Sequence, residues 1–154
     1  MRYQCRLPGR TETMEKQKPG TYNARRENLD KAWRKLFGFH PGLMVVTRFY
    51  ENVERAGENV ALEFSPQPSQ DMLVACLWSY SKDSDGGADL FSFAAIITDE
   101  PPPEVVAAGH DRCIVPIKPE PVDAWLAPEP HNLAAQYAIL DDRERPYYEH
   151  RRAA

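Results

Sequence analysis

Cysteine is scarce and unpaired in this sequence. Cys5, Cys76 and Cys113 are odd in number and widely spaced, which argues against a disulfide framework and for a reduced, cytoplasmic protein. Long apolar runs are missing as well. Leu73 to Trp78 is among the longest, far short of the ~20 residues a membrane helix needs. No apolar stretch follows the basic start Met1-Arg2-Tyr3-Gln4-Cys5-Arg6, so a secretory signal is not expected. There is no Gly-x-Ser-x-Gly, no Gly-x-x-x-x-Gly-Lys and no His-Glu-x-x-His, which weakens serine-hydrolase, nucleotide and zinc-peptidase readings. His110 and Cys113 have a His-x-x-Cys spacing without a second pair nearby; two ligands do not make a zinc site, and neither metal nor cofactor is expected. Repeats and low-complexity tracts are absent, and no βαβα rhythm argues for a doubly wound fold.

Proline is plentiful. Most of its fourteen residues fall between apolar segments, which marks a loop-rich α+β domain. The expected architecture is a mostly antiparallel sheet or partial barrel with a few short helices. Charge is unevenly spread: residues 1–35 carry ten Lys/Arg against four Asp/Glu, a net +6, while the remainder carries −10, for −4 overall. A basic face that binds phosphate is one explanation. A solvated basic segment balanced by acidic neighbours is the other.

Residues 2–7 alternate weakly and suit a short strand. Residues 8–21 are rich in turn formers and charge and suggest an exposed loop. Leu29, Ala32, Trp33, Leu36 and Phe37 recur at i, i+3, i+4, i+7 and i+8. That stripe predicts a helix, with Asn28 at its start and Gly38 at its end. Strands are expected at 43–50, with Glu51 at the end, and at 60–64, joined by a turn at 54–59. Two buried strands, 72–78 and 90–98, flank a polar hairpin with Gly86-Gly87 at its tip. Residues 101–108 suit a short helix, because proline is tolerated in a first turn. A short strand at 113–117 and helices at 122–126 and 133–140 follow. Residues 1–140 form one domain on this reading, and 141–154 a charged surface tail.

Several residues could carry chemistry. Glu51 follows an apolar strand ending in Phe49-Tyr50, and a carboxylate beside aromatics can have its proton affinity raised by desolvation. His110 is a proton carrier for neutral pH, with Asp111 and Arg112 beside it. Asn23 can both donate and accept. Arg25 and Arg26 can grip phosphate. Taken alone, each has a simpler reading: a strand-end Glu, a loop His, a helix-capping Asn.

Their order changes that. Asn23-Ala24-Arg25-Arg26-Glu27, Phe49-Tyr50-Glu51-Asn52, Ala75-Cys76-Leu77-Trp78, Phe93-Ala94-Ala95-Ile96-Ile97-Thr98 and His110-Asp111-Arg112 with Pro116 together resemble the SOS-response-associated peptidase (SRAP) family. Asp123-Ala124-Trp125-Leu126 is similar to its closing helix. The resemblance implies a protein that senses abasic sites in single-stranded DNA. The family's nucleophile is a cysteine at position 2, whose amine and thiol capture the ring-opened sugar as a thiazolidine DNA-protein crosslink; a self-processing peptidase activity accompanies it. Carried over by motif, Asn23 positions the cysteine, Glu51 shuttles protons and His110 assists ring opening and reversal. Arg25, Arg26 and Arg112 are the expected DNA contacts, and the partner is single-stranded DNA, bound by a monomer without a membrane.

The departures are specific. Position 2 is Arg2, Cys5 sits in the strand leading to Leu7-Pro8-Gly9, and Asn52 replaces the family's tryptophan. The chain is therefore expected to lack the family's N-terminal part with its catalytic cysteine. Whether it acts as an enzyme stays open. The alternative is a catalytically impaired relative that works as a single-stranded DNA-binding module, and a fragment without activity of its own is a third reading.

Overall fold

The computed structural model describes residues 1–154. Its elements are β1 (Arg2–Tyr3), α1 (Glu12–Gln17), β2 (Asn23–Arg25), a 3₁₀ turn (Arg26–Asn28), β3 (Pro41–Val46), β4 (Phe49–Arg55), β5 (Glu58–Gln67), β6 (Met72–Ser81), β7 (Leu90–Thr98), α2 (Pro103–Ala107), β8 (Cys113–Ile114), β9 (Pro116–Ile117), α3 (Val122–Leu126), α4 (Leu133–Asp141) and β10 (Tyr147–Arg152). The fold is α+β as expected, with two sheets and no closed barrel.

The larger sheet is built on β6 and β7, whose near-continuous apolar runs mark strands covered on both faces. Ala75, Leu77, Ala94 and Ile96 face a layer containing Leu36, Phe37, Trp125 and Leu140. Val74, Ala95 and Ile97 face Phe49, Val53, Leu62 and Phe64 of the smaller sheet. The smaller sheet has the antiparallel order β10-β5-β4. The larger sheet is mixed. β3 and β6 pair antiparallel, as do β6 and β7, but β1 and β2 both run parallel to β7. Near the far ends of β6 and β7, Val115 sits between them: the Ala75 N–H donates to its carbonyl at 2.9 Å, and its own N–H donates to Ile96 at 3.1 Å. No helix is long and apolar enough to cross a membrane.

Three expectations are corrected. Residues 12–17 are a helix rather than loop. Thr11 caps it by accepting from the Met14 N–H at 3.3 Å, and Glu12 and Glu15 sit in the first turn where carboxylates favour a helix. Residues 29–37 are a run of turns rather than a regular helix. The Trp33 N–H reaches back five residues to the Asn28 carbonyl, which widens the ladder. Leu29, Trp33, Leu36 and Phe37 are nonetheless buried, so packing selects the stripe; Arg26 on Asp141 anchors the chain just before it, and Gly38 at φ +85° ends it as expected. Ala32 stays exposed.

The third correction concerns the charged tail. Residues 147–152 form β10 and pair with β5, Tyr148 opposite Pro66 and His150 opposite Phe64. Tyr148 is 2% exposed. It meets the Phe49 ring edge-on at 5.1 Å, and its N–H donates to Glu104 at 2.9 Å. Only Tyr148 is buried in this strand, so its sequence has the charge of an edge strand and reads as a tail. Tyr148→Ala is expected to cost about 3 kcal/mol or more by loss of buried aromatic packing, seen as an earlier urea midpoint. An unchanged midpoint would return the segment to a passive tail.

Candidate functional site

Glu51 lies inside β4, not at its end. Strand alternation puts Phe49, Glu51 and Val53 on one side, and Phe49 and Val53 are core residues. The carboxylate is thus carried toward the interior, and its side chain is 19% exposed. Burial raises its pKa. The positive charge of His110 and Arg112 pulls the other way, and Asp111 adds to the rise.

His110 approaches from the other side. The chain leaves α2 through Gly109 at φ +102°, where a Cβ would stand 3.7 Å from Val53. The His110 N–H donates back to Val105 at 3.1 Å. These anchors aim the ring at β4, with Nε2 3.1 Å from Glu51 Oε2. Nδ1 lies 2.9 Å from the Arg112 carbonyl. The Arg112 N–H also donates to Nδ1 at 3.2 Å, which suits the tautomer with Nε2–H donating to a Glu51 carboxylate; with Nδ1–H on the carbonyl, Nε2 instead accepts from a neutral Glu51. The pair can hold one proton between two groups.

Asn23 begins β2, where Ala24 is fully buried and Asn23 and Arg25 point outward. Its Oδ1 accepts from the Tyr3 hydroxyl at 3.2 Å. Asn23 and Glu51 line one cavity of about 390 Å³ with Tyr3, Tyr22, Val74 and Ala95. Asn23, Glu51 and His110 are therefore brought together through β2, β4 and the segment after α2, three pieces distant in sequence.

The arginines divide. Arg25 is half-exposed, with only Glu27 nearby at 3.9 Å. It lines a second cavity of about 300 Å³ with Arg10, Lys18 and Asn23. Arg112 is partly exposed and close enough to act on Glu51. Arg26 is engaged elsewhere: it donates to both Asp141 oxygens at 2.7 and 2.8 Å and lies 4.9 Å from the Tyr137 ring centroid. That hydrogen bonding raises its pKa. Elsewhere in the basic segment, Arg2 and Arg6 are both paired with Glu15. Of the expected basic face, Arg10, Lys18 and Arg25 border the cavity at Asn23, while Lys31, Arg34 and Lys35 are exposed on the following turns.

The thiols are inert. Cys5, Cys76 and Cys113 are buried, and burial pushes them to about 11, 12 and 12. Each is a neutral thiol at pH 7, and only the thiolate is nucleophilic. No group of three or more His, Cys, Asp or Glu side chains converges where a metal ion could sit. The residue that sequence reasoning missed is Tyr3. The weak alternation of residues 2–7 suggests a strand but not its partner, and only the pairing with β7 sets Tyr3 beside Asn23.

By sequence, residues 5–152 match the family described as SOS response associated peptidase (SRAP). A comparison with curated proteins gave no match. Among solved structures, a protein from Bordetella bronchiseptica is similar with a TM-score of 0.76 at 19% identity, over 99% of this chain and 75% of that one. A protein from Bacteroides thetaiotaomicron gives 0.65 at 15% identity, over 86% and 58%. A phage-related protein from B. bronchiseptica gives 0.62 at 20% identity, over 85% and 62%. At these identities the likeness is one of fold, and the chain spans about three fifths to three quarters of each relative's length.

Proposed function

Because this chain belongs to the SOS response associated peptidase family, we propose that it senses abasic sites in single-stranded DNA, with Asn23, Glu51 and His110 around the ring-opened sugar. The observation that carries this reading is the 3.1 Å contact between Glu51 and His110 at the edge of a cavity that Asn23 and Glu51 share. Opening a deoxyribose hemiacetal needs one proton taken from the C1′ hydroxyl and one delivered to the ring oxygen. A carboxyl and an imidazole that share a proton can do both. The exposed aldehyde then reacts with an N-terminal cysteine, the co-reactant of the family's chemistry. The amine adds and water leaves, giving an imine. The thiol adds across the C=N bond and its proton passes to nitrogen, giving a thiazolidine with loss of one water overall.

The crosslinking test uses an oligonucleotide with a single abasic site. A gel-stable adduct is expected from a form of the protein that begins Met-Cys, in which removal of Met exposes the amine and thiol. If neither that form nor this chain gives an adduct, the crosslinking reading fails.

A second reading, a DNA-binding module, is favoured for this chain by its three buried, neutral thiols. On either reading Arg25 holds a phosphate, and Arg26, occupied by Asp141, contributes little. Arg25→Ala should lower the slope of log K against log salt by about 0.7, the contribution of one phosphate on a single strand. Arg26→Ala should leave the slope unchanged. The reverse pattern would reassign the DNA contact.

A further inference from the structure

Strand alternation leaves a row of aromatic rings uncovered next to the candidate site. On the face of the larger sheet that meets the smaller sheet, Phe93 and Phe91 continue the series that Ala95 and Ile97 begin. The smaller sheet does not cover them. Tyr3 lies on Phe93 with ring centroids 5.1 Å apart and planes 21° apart, and Tyr22 meets Tyr3 edge-on at 5.2 Å. Tyr22 is 53% exposed and Tyr3 41%. Exposed rings of this kind usually mark a binding surface.

The row has two unlike ends. At the outer end the Tyr80 hydroxyl donates to Asp89 at 2.6 Å, and the adjoining loop carries no cluster of cations, Asp83 being paired with Arg6. At the inner end Tyr3 bonds Asn23, and Tyr3 and Tyr22 line the cavity that holds Glu51. Asn23 also borders the basic cavity of Arg10, Lys18 and Arg25. Aromatic faces and cationic groups therefore meet at Asn23, the arrangement that binds single-stranded nucleic acid: bases stack while phosphates pair.

We propose that Tyr22, backed by Tyr3 and Phe93, is the stacking platform for the nucleobase next to the abasic sugar, with the flanking phosphate on the Arg25 side of Asn23. The proposal rests on the abasic-site reading and adds a subsite to it. An abasic sugar has no base of its own to stack, so its neighbour supplies the aromatic contact that draws the sugar over Asn23 and Glu51.

The test uses an oligonucleotide with a tetrahydrofuran abasic analogue, which cannot crosslink, and 2-aminopurine at the adjacent position. Binding should quench the 2-aminopurine fluorescence. Tyr22→Ala should abolish the quench and weaken binding about tenfold, the size of one lost base–aromatic stack. Tyr22→Phe should retain both. Tyr22 is exposed, so the Ala variant is expected to melt as the parent does. If the parent binds and Tyr22→Ala binds and quenches equally, the platform is overturned while the abasic-site reading stands. Unquenched fluorescence in the bound parent overturns it too. If the parent does not bind the analogue, both the reading and the platform fall.

Discussion

Glu51→Gln should slow capture of an abasic site by about 10²–10⁴-fold in a form that begins with the N-terminal cysteine, the usual range for a lost general acid-base group. Glutamine keeps the shape and the contact with His110 but cannot exchange the proton. The pH dependence separates this role from a structural one. Burial holds the Glu51 carboxyl neutral above the ordinary carboxylate range. A rate that needs the proton on Glu51 is flat at low pH and falls as pH rises through that raised value. Glu51→Gln should lack this limb. Stability has the same sign. A group whose folded pKa is raised contributes stability that is complete below its unfolded pKa and is lost as pH rises through the folded one. The variant should therefore lose less stability than the parent over that window. A Gln variant with the parental rate and profile would remove Glu51 from the proton path.

Trp125→Ala should be the most damaging single change to the fold. Trp125 is fully buried among the side chains beneath β6 and β7. Its indole N–H donates to the Gly42 carbonyl at 2.9 Å, which ties α3 to β3. Removing the ring is expected to cost about 3–5 kcal/mol, a large share of the ~5–15 kcal/mol that holds a domain of this kind. The Gly42 carbonyl also loses its donor. The site should suffer as well, because β3 carries Met44 and Val46 into the cavity beside Glu51. Equilibrium urea unfolding measures the effect. A loss under about 1 kcal/mol would mean that the layer beneath the sheet is far less tightly packed than the structure has it.

The parts of the fold legible in the sequence were those whose signal is local. The apolar runs of β6 and β7 and the Pro-led entry to α2 give composition and spacing that physics can read directly. Residues 147–152 depend on partners far away, the Phe49 ring and Glu104; residues 12–17 have a local signal only in the Thr11 cap and the acidic first turn, masked by the turn formers around them, and are pinned by Asp83 accepting from the Glu12 N–H at 2.8 Å. The site divides in the same way. Asn23, Glu51 and His110 were named from the order of short motifs, yet each alone favoured a simpler explanation. Their convergence depends on β2 running parallel to β7 and on Glu51 facing inward within β4. Placing Glu51 at a strand end concealed the burial that raises its pKa. Arg26, adjacent to Arg25 in sequence, was expected to do the same work; the turn that follows β2 sends it to Asp141 instead.

The proton-handling pocket can be tested apart from the covalent step. The most direct measurement is solution NMR of this chain, following the His110 ring and Asn23 side-chain signals during titration with two single-stranded oligonucleotides. One carries a tetrahydrofuran abasic analogue and the other an intact base at the same position. The account predicts that the abasic oligonucleotide shifts both sets of signals and that the intact one shifts only residues of the Arg25 surface. If neither set moves with the abasic oligonucleotide, or both oligonucleotides move them alike, Asn23, Glu51 and His110 are not an abasic-site pocket.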